Sequence, residues 1–150
     1  MAANNIFEVG DVLIFQYPDK TYGITVLMRV TLYRGHHDYD FCRTTFKSEQ
    51  KPNMTDIEKT NVIGYDLPSR VFGNSTTAFC THFAQHNKLK KFADKFEKIG
   101  TVRLNHNGGG SSKCGNDFES FCDEFAEYDL QNKLWRHMTM KEYPLIDFID

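Results

Sequence analysis

The chain reads as an α+β protein: an N-terminal antiparallel, barrel-prone β-sheet of three to five strands, followed by two C-terminal amphipathic helices. Three observations predict this. Short β-branched and aromatic runs separated by turn residues fill the first 46 residues. From about Ala78 the apolar spacing changes to three or four residues. Strand signals also come first and helix signals later, rather than alternating.

Gly10-Asp11 is a turn signal before Val12-Leu13-Ile14-Phe15-Gln16-Tyr17, and Pro18-Asp19-Lys20 ends that run. Residues 24–33 follow at hairpin distance, with Thr25, Val26, Val30 and Thr31 favouring strand. Arg34-Gly35-His36-His37-Asp38 reads as a second turn and residues 39–46 as a third strand. Residues 47–56 are polar, contain Pro52 and read as loop, with a fourth strand candidate at 57–65. Residues 67–77 look irregular.

Beyond them Phe83, Leu89, Phe92, Phe96 and Ile99 recur at helical spacing among Lys88, Lys90, Lys91, Lys95 and Lys98. That pattern predicts one amphipathic helix, or two short ones meeting near Asn87, stopped at Gly100. Residues 101–104 form a short strand candidate, and the run from His106 through Gly108-Gly109-Gly110 to Ser112 a flexible connector. The second helix starts after a cap at Asn116 or Ser112 and runs to about His137. Its stripe is Phe118, Phe121, Cys122, Phe125, Tyr128, Asn132 and Trp135. Residues 142–150, with Pro144, end the chain as an edge strand.

A length of 150 residues predicts one domain over residues 1–150. Aromatic residues make up 14%, as thirteen Phe, seven Tyr and one Trp, so rings supply much of the core. A formal charge of −2 argues against a globally basic nucleic-acid binder. No charged-then-apolar leader and no bilayer-length apolar run is visible, which predicts a soluble cytoplasmic protein with no membrane partner. Cys42, Cys80, Cys114 and Cys122 include no CxxC pair, so they read as free thiols rather than a zinc site.

Several motifs fall short of the chemistry they suggest. After the glycine run Lys113 is followed by Cys114, where a phosphate-binding loop needs Lys-Ser or Lys-Thr. His36-His37-Asp38-Tyr39-Asp40 gathers metal-type ligands but needs help from His82, His86 or His106. His82 and His86 are four apart, which on a helix would put both on one face, without the glutamate of the HExxH pattern. Cys80 and His82 are too close in sequence for the usual thiol–base geometry. No catalytic, metal or cofactor site is expected.

Charge segregation is the most informative feature. Residues 86–103 carry six basic and two acidic residues; residues 115–150 carry three basic and nine acidic. Asp117, Glu119, Asp123, Glu124, Glu127 and Asp129 form a run with no base among them. Like charges at helical spacing repel by about 0.2–0.5 kcal/mol per pair, which a basic segment or a basic partner offsets. These six carboxylates are the expected partner-binding residues. A surface of this kind speeds association and selects orientation.

Phe7-Glu8-Val9-Gly10-Asp11-Val12-Leu13-Ile14-Phe15-Gln16-Tyr17 and Tyr22-Gly23-Ile24-Thr25-Val26-Leu27-Met28-Arg29-Val30 resemble the opening of bacterial polymorphic-toxin immunity proteins of the Imm26 type. The resemblance implies a cytoplasmic protein that binds and blocks a toxin delivered by neighbouring cells, often a nuclease. Nucleases grip phosphates with Lys and Arg, which an acidic inhibitor complements. The expected function is thus a protein-binding inhibitor of a basic secreted toxin domain. Two alternatives are a metal-dependent hydrolase or nuclease built on His36–Asp40, and a small β-barrel reader of nucleic acid or peptide. Residues 1–75 carry eight bases and nine acids, which disfavours the reader.

Overall fold

Alternation along strand β1 (Asp11–Gln16) sends Val12 and Ile14 to one face and Leu13 and Phe15 to the other, and all four are buried. A strand can bury both faces only if each is covered. The structure, a computed structural model, describes residues 5–67, 76–106, 112–115, 117–126, 134–135 and 138–150. It is α+β and mostly sheet.

β1 pairs with β2 (Tyr22–Tyr33) and β2 with β3 (His36–Cys42), the three-stranded antiparallel meander predicted from the sequence. One turn differs from expectation. Tyr33 pairs directly with His36, so the loop is only Arg34-Gly35, at φ 49° and 83°. Two successive positive φ values define the tight hairpin turn whose twist matches that of strands. His36, His37 and Asp38 therefore belong to β3 rather than to a turn.

Asn53 accepts the Thr55 N–H at 2.9 Å, and Asp56 accepts the Asn53 N–H at 2.9 Å. This capping box makes residues Met54–Lys59 a 3-10 turn, so the fourth strand starts later than the predicted 57, as β4 (Asn61–Leu67).

Residues 78–99 are the largest departure. Instead of one amphipathic helix, or two short ones meeting near Asn87, there are β5 (Thr76–Phe79), β6 (Thr81–Gln85), one helical turn α1 (His86–Leu89), a 3-10 turn at Ala93–Lys95, and β7 (Glu97–Thr101), which contains the expected helix stop Gly100. Then come β8 (Ser112–Cys114), α2 (Phe118–Ala126), β9 (Leu134–Trp135), β10 (Met138–Thr139) and β11 (Lys141–Pro144). The two helices stand near the expected places and are shorter. Trp135 lies on a strand, not on the second helix. The expected terminal strand stops at Pro144 and becomes a 3-10 turn at Leu145–Phe148.

The larger sheet runs β7-β1-β2-β3-β6-β8, antiparallel except for β6–β8, and remains open rather than closing into a barrel. The smaller one is β11-β4-β5, and β9-β10 form a separate hairpin. Cys80 is the hinge between the sheets. Its N–H bonds the Ile63 carbonyl at 2.9 Å and its carbonyl accepts the Arg43 N–H at 3.1 Å. Between the sheets pack Val12, Ile14, Ile24, Val26, Met28, Val62 and Phe79. Against the opposite face of the larger sheet pack Leu89, Phe92, Phe96, Phe121 and Cys122. Among the described residues no helix is long and apolar enough to cross a membrane.

Candidate functional site

The acidic helix is held to the sheet by rings. The Phe121 ring is fully buried and meets Phe15 and Phe96 at 5.0 Å and Phe41 at 5.6 Å, all edge-on. Phe118 sits 6.1 Å from Phe121, and His82 presents its ring to Phe121 at 4.8 Å. Edge-to-face pairs at these separations are favourable beyond the area they bury. Asp117, just ahead of α2, and Glu119 and Asp123 on it are exposed, and among the described residues none of the three takes part in an ion pair.

Asp117 also caps the helix: its carboxylate accepts the Ser120 N–H at 2.8 Å. That bond holds its carboxyl below the usual range, so it is ionised at neutral pH. Ser112, one expected cap, lies instead in β8; Asn116 lies outside the described residues. Of the remaining expected partner-binding residues, the Glu124 side chain, Glu127 and Asp129 also lie outside them, as do the Phe125 side chain, Tyr128, Asn132 and the glycine connector at 107–111. The basic segment meets the acidic helix through rings, with Phe96 5.7 Å from Phe118. Its Lys98 is committed elsewhere, to buried Asp11 at 3.1 Å.

The histidines expected to cooperate are sorted apart by strand alternation. His36 faces Asp38 at 3.5 Å on one side of β3. His37 and Tyr39 point to the other, where the His86 ring lies 6.3 Å from His37. His82 and His86 do not share a helical face, because His82 is on β6. His106 packs against Phe79 at 4.6 Å. Cys80 and His82 join different clusters, Cys80 with Ile63 and Tyr65, His82 with Phe121. Cys42, Cys80 and Cys122 are buried, and burial pushes the Cys122 thiol up to about 12. Among the described residues no three His, Cys, Asp or Glu side chains are grouped to hold a metal.

One histidine contact joins a buried hydroxyl to an imidazole nitrogen. The buried Tyr39 hydroxyl accepts the Ile6 N–H at 3.0 Å and lies 2.8 Å from His86 Nδ1. A buried hydroxyl needs an acceptor for its own proton, and Nδ1 is the one within reach. In the tautomer that accepts this proton on Nδ1, His86 carries its own on Nε2.

Burial, followed by His37 and Lys90, holds His86 below its ordinary value. The unfolded chain therefore binds more protons just below the ordinary histidine value of about 6.5. The stability His86 contributes is present above that pH and lost as pH falls through the window. Thermal melts are expected to shift down between about pH 7.5 and 5.5, with a shallower slope in His86→Gln. An identical slope in that variant would contradict the assignment.

A second feature, one no sequence pattern indicated, is a cavity of about 500 Å³ where β1 runs past the end of β7. Phe15, Tyr17 and Phe118 supply rings, and Lys20, Lys51 and Lys95 come from three separate segments. Lys51 is already engaged by Glu97, at 2.9 and 3.1 Å to its two oxygens.

Comparison of the chain with protein families, with curated proteins and with solved structures finds no match.

Proposed function

We propose that this chain is a cytoplasmic protein-binding inhibitor that docks a basic protein through the acidic face of α2, in the manner of an immunity protein neutralising a toxin domain. The observation that carries the reading is the contrast between the two sides of one helix. Phe118, Phe121 and Cys122 are fixed in the aromatic cluster, while Asp117, Glu119 and Asp123 face solvent without ion-pair partners among the described residues. Rigid anchorage presents the carboxylates in a fixed array, so little ordering remains to be done on binding. Uncompensated charge of one sign steers a partner of the other.

Affinity capture with the wild-type chain and a Glu119→Lys/Asp123→Lys variant tests it. Wild type is expected to retain a basic protein that is released by salt, and the variant to retain about a tenth as much or less. Asp117 is left intact in this design because it caps the helix. Equal retention by both proteins would remove α2 from the interface. A gene for a large secreted protein with a C-terminal toxin domain beside this one would support the toxin assignment.

A further inference from the structure

The lysine-lined cavity is independent of the docking reading. We propose that it binds a small ligand combining a flat ring with a phosphate group, of the nucleoside-monophosphate class. Its volume, about 500 Å³, suits a small molecule, since ligand pockets run from about 300 to 1,000 Å³. The lining includes the partly exposed rings of Tyr22 and Phe118, which offer surface to a planar ring, above the buried Phe15 and Tyr17. The charged part is not neutral. With Lys51 matched to Glu97, Lys20 and Lys95 stand against Asp94 alone, leaving one positive charge for an anionic group. Asp94 accepts hydrogen bonds from sugar hydroxyls or a ring amino group.

Lys20 reaches the cavity from the loop between β1 and β2. It has φ +74°, a left-handed conformation that favours glycine. The turn holds it there: its N–H bonds the Tyr17 carbonyl at 2.9 Å, and the Gln16 side-chain amide donates to its carbonyl at 3.2 Å. Glycine would meet the backbone requirement without strain but would bring no ammonium to the cavity.

Calorimetric titration of the full chain with adenosine monophosphate tests the proposal, with adenosine and inorganic phosphate as separate probes. Saturable binding of the monophosphate is expected, with each half alone binding about tenfold or more weaker. Lys95→Ala and Lys20→Gly are each expected to weaken it about tenfold, the loss of one charge-assisted contact. Lys20→Gly is expected to melt no lower than wild type, because it relieves the strained turn. No saturable binding, binding unchanged in both variants, or phosphate binding as tightly as the nucleotide would each overturn the proposal.

Discussion

Phe121→Ala is expected to cost about 3–5 kcal/mol, the range for emptying a fully buried phenylalanine site. The site cannot close easily. Phe15, Phe41, Phe96, Phe118 and His82 all contact the ring, and the first three sit on the larger sheet or beside it. Domains of this size are stable by only about 5–15 kcal/mol, so the variant is expected to sit near its unfolding threshold. Denaturant unfolding measures the loss as a lowered midpoint with an unchanged slope. A loss of under about 1 kcal/mol would mean that α2 is not anchored as described.

Gly10→Ala ranks second, at about 2–4 kcal/mol from backbone strain plus overpacking. Gly10 has φ +95°, and a Cβ there would overlap the Val102 carbonyl oxygen. That carbonyl's neighbourhood is fixed, because the Val102 N–H bonds the Gly10 carbonyl at 2.9 Å while the Gly10 N–H bonds Leu27 at 2.9 Å. The chain cannot move aside without releasing β1 from its neighbours on both sides. A melting temperature within a degree or so of wild type would contradict this close approach.

The first two strands are legible as β-branched and aromatic runs closed by Pro18-Asp19-Lys20 and Arg34-Gly35, and the third because it alternates from Tyr39. Residues 78–99 misled for a physical reason. Phe83, Leu89, Phe92, Phe96 and Ile99 are spaced like a helical stripe, yet β5 and β6 are too short to show a period of two, and the bend at Cys80 falls between them. Leu89, Phe92 and Phe96 pack on the larger sheet from successive turns, while Phe83 and Ile99 lie on its strands β6 and β7. Trp135 keeps the spacing of the stripe in sequence, but the helix covers Phe118–Ala126 and Trp135 pairs with Met138 in the β9–β10 hairpin.

The candidate interface was the more legible part of the function. A run of acids with no base needs no fold to be noticed, and the rings at Phe118 and Phe121 marked the buried side. The cavity was invisible, because Lys20, Lys51 and Lys95 lie in three segments that only the packing of β1, β7 and α2 brings together.

Docking through the acidic face is tested most directly by association kinetics with the captured partner across ionic strength. Wild type is expected to associate fast at low salt and to slow steeply as salt screens its charge. Glu119→Lys/Asp123→Lys is expected to associate about tenfold or more slower at low salt, with a nearly flat salt dependence. The same rate and the same salt slope in both proteins would contradict the account.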